Sequence, residues 1–168
     1  MHVIEFSTLL GPTIVAGDER GLAGIWFNDQ RHFAGIQDTW IHDETELLRS
    51  AKHQLLSYFA GELQQFELPL APQGTAFQER VWQALQGIDY GATCSYGDIA
   101  HQLNQPKAVR AVGAAVGKNP LSIVIPCHRV LGSQKQLTGY AGGLERKSWL
   151  LRLEQDTKLK AGAYVLKS

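Results

Sequence analysis

The residues best suited to chemistry lie in Pro126-Cys127-His128-Arg129-Val130, directly after the apolar run Leu121-Ser122-Ile123-Val124-Ile125. A thiol titrates near about 8.5 when unperturbed and is a weak nucleophile at neutral pH, so useful reactivity needs a base or positive charge beside it. His128 and Arg129 are the obvious suppliers. The apolar run reads as a buried strand that sets the thiol at the end of a rigid element. Neighbours on an extended strand point to opposite sides, so His128 reaches the sulfur only through a water or where the strand has already turned. By itself a Cys-His pair is more often structural than catalytic. The other thiol is Cys94, read as a small core residue. Two cysteines are too few for a disulfide framework and lack the paired spacing of a zinc site, so reduced thiols, no metal and no cofactor are expected.

Several elements upstream must hold that segment. Thr75 caps a predicted helix from about Ala76 to Gln86, with Phe77, Val81, Trp82 and Leu85 on one side and Gly87 ending it. Ser95-Tyr96-Gly97-Asp98 has the Ser-x-x-acid spacing of a capping box and opens a short helix through Ile99, Ala100 and Leu103. Asn104-Gln105 reads as a tight turn, with Pro106 suited to the first position of the next helix, Pro106 to Gly117. Two short helices so joined make a helix-turn-helix candidate. On the second, Val109, Val112 and Val116 form a narrow apolar stripe, while Arg110, Gly113, Ala114 and Gly117 share a neighbouring face. Such small residues let a helix backbone approach another surface closely, and the lone arginine can reach past them into a groove or base stack. Packing against another helix is the other use of that face.

The first part of the chain has a different character. Val3 to Phe6, Thr13 to Ala16 and Gly21 to Phe27 read as a meander of short strands, followed by a helix from Glu44 to Phe59 that Gly61 stops. Leu-Pro-Leu-Ala-Pro before residue 73 suggests a linker, and the charge changes sign across it. Residues 1–72 carry 4 Lys/Arg against 10 Asp/Glu, net −6, and residues 73–168 carry 12 against 6, net +6. A basic half beside an acidic one suggests that only the second faces a polyanion. Apolar residues make up 44% and charged residues 19%, with no low-complexity run, which is the composition of a folded globular chain. No window approaches the roughly 18 uninterrupted apolar residues of a membrane span, and no targeting signal opens the chain, so a cytoplasmic location is expected.

The stretch from Arg110 through Gly113, Ala114, Asn119 and Ser122 to Pro126-Cys-His-Arg-Val resembles the O6-alkylguanine-DNA alkyltransferases, also called methylated-DNA-protein-cysteine methyltransferases. Gly74-Thr-Ala-Phe-Gln-Glu-Arg-Val-Trp upstream and Thr138-Gly-Tyr-Ala-Gly-Gly-Leu-Glu-Arg-Lys-Ser-Trp-Leu-Leu downstream are similar to the same family, so the likeness is strong over about residues 74 to 154. Tyr58-Phe-Ala-Gly-Glu-Leu and the N-terminal meander match more loosely.

The resemblance implies an α/β supporting domain over 1–72, a small antiparallel sheet plus helix of ribonuclease-H-like form. A mostly α winged helix-turn-helix domain over 73–168 would bind DNA and accept the alkyl group. Cys127 would be the acceptor, with His128 relaying its proton through a water to Glu154, and Asn119 would tie the helix-turn-helix to the active-site segment. Arg110 would enter the base stack as the damaged nucleotide rotates out, and Tyr96 would crowd the adjacent phosphate. Tyr140 and Lys147 would line the base pocket, and Gly113, Ala114, Arg129 and Ser122 would complete the surface meeting DNA and base. The expected partner is double-stranded DNA carrying O6-alkylguanine, approached from the minor groove, with no membrane and no obligate protein partner. Transfer would be irreversible, one event per molecule.

Ser122 stands where some members carry a second proline, which implies a roomier pocket open to larger alkyl groups or O4-alkylthymine. Asp89 replaces another common proline. Three other readings compete on residues alone: a winged-helix regulator, a lesion-binding protein without repair activity, and a cysteine hydrolase. The recognition face is Gly and Ala rather than long polar side chains, the acceptor cysteine is present, and no glycine cluster suited to an oxyanion hole precedes it.

Overall fold

The computed structural model describes residues 1–167, with side chains described as far as Thr157. Strands β1 (His2–Thr8), β2 (Gly11–Asp18) and β3 (Gly21–Phe27) form the antiparallel meander, and β4 (Ile41–His42) adds a short parallel edge, giving the order β3-β2-β1-β4. Alternation along β1 and β2 supplies two apolar faces. Val15, with Leu22, Ile25 and Phe27 from β3, packs toward helix α1 (Glu46–Phe59), whose buried side is Leu48, Ala51, Leu55 and Tyr58. Val3, Ile14 and Ala16 face the other way, beneath a stack in which Trp26 lies 4.8 Å from Phe33 and 5.9 Å from Trp40. Thr45 caps α1 and Gly61, at φ +78°, ends it.

The connecting segment is fastened along β3, with Leu22 N–H donating to Pro69 O and Ala71 N–H to Leu22 O, both at 2.8 Å. A side chain on Gly21 would lie 2.6 Å from Pro69 O, so this close passage requires glycine there. Beyond it come α2 (Ala76–Leu85) and α3 (Tyr96–Gln102), each opened by a complete capping box, Thr75 with Gln78 and Ser95 with Asp98. Helix α4 (Val109–Gly117) packs on both, fixed by Trp82 Nε1 donating to Ala115 O at 2.8 Å. It begins later than the Pro106 start expected from sequence. Ala108 N–H instead closes a turn onto Gln105 O, so Pro106 takes the second position of that turn, to which its fixed φ is equally suited.

The largest departure from the sequence reading is at 121–125. Only Leu121 makes a bridge, to Ile25, after which Val124 N–H donates to Ser122 O and Ile125 N–H to Leu121 O. The apolar run is a compact turn, with Ile123 at φ 76°, rather than a strand. Two-residue strands β5 (Cys94–Ser95) and β6 (Val130–Leu131) pair in parallel beyond it. The last helix, α5 (Leu144–Lys167), turns Lys147, Leu150 and Glu154 inward. One hydrophobic cluster runs unbroken from the sheet through α1 and α2 to Leu150. No described helix is long and apolar enough to cross a membrane.

Candidate active site

Asn119, buried just after α4, organises the turn that leads to the thiol. Its Nδ2 donates to Ile125 O at 2.8 Å and Leu121 O at 3.4 Å, while its Oδ1 accepts from Leu121 N–H at 3.0 Å. The side chain thus satisfies backbone groups that a neighbouring strand would otherwise occupy, which is why the apolar run need not extend. Cys127–Arg129 then form one turn of 3-10 helix, with Cys127 only 6% exposed. The chain has therefore already turned at the thiol, and the strict alternation of an extended strand does not apply to Cys127 and His128.

Behind the thiol lies a buried charged cluster. Glu154 is 1% exposed; its Oε2 accepts from His128 Nε2 at 2.7 Å, Tyr58 Oη at 2.5 Å and Arg129 Nη2 at 3.0 Å. Its Oε1 accepts from Arg129 Nε at 2.8 Å and Gly91 N–H at 3.3 Å. Burial opposes ionisation of Glu154, but His128 and Arg129 outweigh it and hold the carboxyl well below the usual range, at about 2. An ionised carboxylate can only accept, so Nε2 of His128 carries the hydrogen and Nδ1 remains the basic atom. That Nδ1 is buried and, among the described residues, has no hydrogen-bond partner. Burial also lowers the pKa of His128 against the pull of Glu154, leaving the imidazole neutral and able to take a proton. Burial raises the Cys127 thiol, opposed by the Asn119 amide and the Lys147 charge, so the resting sulfur keeps its proton.

Two sequence expectations change here. No water separates His128 from Glu154, which bond directly; any water in the relay belongs on the Nδ1 side. Arg129 is 7% exposed, paired with Glu154 and donating through Nη1 to Ile88 O at 2.6 Å, so it braces the carboxylate rather than meeting DNA.

A cleft of about 570 Å³ opens between α4, the loop around Tyr140 and the segment at Arg31; Cys127 does not itself line it and is connected to it through Tyr140. Gly113, Ala114 and Gly117 line it with Tyr96, as their common helical face predicts, and Arg110 stands exposed on α4. Tyr96 Oη and Thr138 Oγ1 lie 3.3 Å apart. Tyr140 borders the cleft with its hydroxyl buried; burial, and then the nearby Cys127, keep that phenol well above its ordinary pKa and therefore protonated. Lys147 does not line the cleft. It is fully buried, and its Nζ donates to Val130 O and Thr138 O, both at 2.6 Å, and to Gly139 O at 3.4 Å, holding the Tyr140 loop from beneath. Burial lowers its pKa to about 8, opposed by Cys127. Ser122 is 2% exposed and reaches across to Gln30, 3.2 Å from Oε1.

Sequence reasoning missed Tyr58 and Gln30, both contributed by the N-terminal half. Tyr58 carried a usable signal: it continues the buried α1 stripe three residues after Leu55, and a hydroxyl on such a stripe needs a partner. Among the described residues no group of three or more His, Cys, Asp or Glu is placed to hold a metal ion.

Residues 2–72 match the family described as 6-O-methylguanine DNA methyltransferase, ribonuclease-like domain, and residues 76–156 match 6-O-methylguanine DNA methyltransferase, DNA binding domain. The chain is 48% identical over 154 residues to the methylated-DNA--protein-cysteine methyltransferase of Methanosarcina acetivorans, covering 92% of this chain and 98% of that one. It is 45% identical over 156 residues to the Haemophilus influenzae protein of the same name, covering 92% and 87%. Among solved structures, Mycobacterium tuberculosis OGT in complex with DNA superposes with a TM-score of 0.86 at 43% identity, covering 94% of both chains. Both family matches follow one another in chain order over nearly the whole length, and the chain therefore belongs to the 6-O-methylguanine DNA methyltransferase family.

Proposed function

We propose that this protein repairs DNA by direct reversal, moving the alkyl group of O6-alkylguanine onto Cys127 once per molecule. The observation that carries this reading is a buried thiol followed in the same 3-10 turn by an imidazole whose far nitrogen is fixed by a buried, fully bonded Glu154. The Cys127 proton passes to His128 Nδ1, and Glu154 stabilises the resulting imidazolium. The thiolate sulfur forms its bond to the alkyl carbon as the carbon–O6 bond breaks, and the released electron pair stays on guanine. Donation to the guanine edge makes it a better leaving group, and the protonated Tyr140 hydroxyl is the group suited to it. The thioether formed has no neighbouring group able to cleave it, so the event is final.

In-line attack on a carbon held in the major groove requires the nucleotide to leave the stack. The small face of α4 allows close approach along the minor groove, Tyr96 crowds the flanking phosphate, and Arg110 fills the gap. Asn119 and Lys147 act indirectly, through the turn and the loop they hold. Ser122 lacks a proline ring but is engaged with Gln30, so it admits larger alkyl groups only where that contact gives way. The division of labour runs between residues 1–72 and 73–168, and a cytoplasmic location accompanies it. Intact mass after incubation with an oligonucleotide containing O6-methylguanine tests the reading: the expected result is one methyl gained in place of the thiol proton, and none in Cys127→Ser. An unchanged mass for the native protein refutes it.

A further inference from the structure

The N-terminal half reaches the relay at one point. Tyr58, on α1, is fully buried, and its hydroxyl lies 2.5 Å from Glu154 Oε2, the same oxygen that binds His128 Nε2. We propose that Tyr58 is a positioning residue for alkyl transfer, its hydroxyl orienting Glu154 and drawing off part of the carboxylate charge that would otherwise fall on His128. The inference rests on the alkyl-transfer reading above.

The geometry separates this contact from ordinary packing. A buried tyrosine satisfies its hydroxyl with any acceptor, and backbone carbonyls are the common choice. Here the acceptor is the one side chain that sets the tautomer and basicity of His128. Donors on one carboxylate oxygen compete for the same charge, so a short phenol bond weakens the hold of Glu154 on the imidazole proton. The surrounding charged and titratable groups are Arg129 from the 3-10 turn, Tyr90 from the segment before β5, Tyr140 from the loop before α5, and Lys147 from α5. Of these, Arg129 also bonds Glu154, as a guanidinium, so the phenol is the uncharged regulator of that oxygen. Tyr58 is held in place by aromatic neighbours on several sides: Phe66 at 5.4 Å, Phe59 at 5.8 Å and Tyr90 at 6.2 Å between ring centres.

The test measures single-turnover transfer from free O6-benzylguanine against pH, which removes DNA binding from the readout. Tyr58→Phe deletes one donor, returns charge to His128 and stabilises the imidazolium, so the acid limb of the profile moves up by about half to one pH unit. Tyr58→3-fluorotyrosine makes a stronger donor in the same shape, and the limb moves down. Leu48→Ala, which loosens the buried face of the same helix ten residues away from Tyr58, lowers the melting temperature and leaves the limb where it is. Superimposable limbs for the native protein and both Tyr58 variants overturn the proposal even if stability falls, because a purely structural contact predicts that result. Should Tyr58→Phe not fold, the fluorinated variant alone decides. Failure of the native protein to take up the benzyl group defeats the alkyl-transfer reading itself, a different outcome from a native protein that reacts while its variants show no shift.

Discussion

The two sides of the Cys127–Arg129 turn are built from opposite materials. Toward the cleft stand Gly113, Ala114 and Gly117, with phenols at the border and a lone exposed arginine on the same helix. Toward the interior, a single carboxylate is saturated by a guanidinium, an imidazole, a phenol and a backbone N–H. The open side has to admit a ligand and is made of groups that take little space. The interior side has to keep charges fixed where water cannot screen them, and there every charge has a partner. Damage to the interior should therefore harm every substrate, while damage to the open side should discriminate between a free base and duplex DNA.

The largest effect expected from this contrast is Glu154→Ala. It leaves Arg129 and His128 buried without their acceptor, which costs about 3–5 kcal/mol of stability by denaturant titration. Transfer from free O6-benzylguanine and from DNA should fall together. Arg110→Ala should slow transfer in duplex DNA by roughly tenfold or more, since extrusion loses its replacement in the stack, while transfer from the free base is retained. Equal losses on both substrates would mean that the open side does not work as described.

The pH dependence sharpens the interior half. Burial depresses His128 in the folded protein, so the unfolded chain binds a proton that the folded one refuses as pH falls below about 6.5. The stability associated with neutral His128 is therefore complete above about 6.5 and declines below it. The transfer rate should likewise hold steady through that value and drop only at lower pH, as a stopped-flow series would show. The smallest effect is Gly113→Ala. Its Cβ would sit 3.9 Å from Tyr96 Cδ1, an ordinary contact, and the helix gains up to about 1 kcal/mol. Melting should rise slightly, free-base transfer should not change, and affinity for duplex DNA should fall.

Legibility in the sequence followed the same division. The small face of α4 could be read from spacing, because helical periodicity alone brings 110, 113, 114 and 117 together. Both capping boxes were equally local. The interior was not legible from spacing, because its members come from α1, the Gly91 loop, the Cys127 turn and α5. Glu154 looks like a solvated helix residue until its helix is docked, and Arg129 looks like a DNA contact until its guanidinium is found paired. Resemblance supplied Glu154 but neither its direct bond to His128 nor Tyr58. The strand expected at 121–125 failed because Asn119 satisfies that backbone from the side, and periodicity does not register a side chain acting as a strand partner.

Tyr58 and Glu154 lie 96 positions apart in the chain. Synthesis proceeds from the N-terminus, so the phenol is made early and the cysteine well before the acid, and the helix carrying Glu154 cannot dock until the other two segments already exist. Until it does, the imidazole has nothing to hold its proton in place and the sulfur remains an ordinary thiol. A nascent or truncated chain is thus chemically quiet, and the single charge of reactivity each molecule possesses is not armed before the fold that aims it is finished.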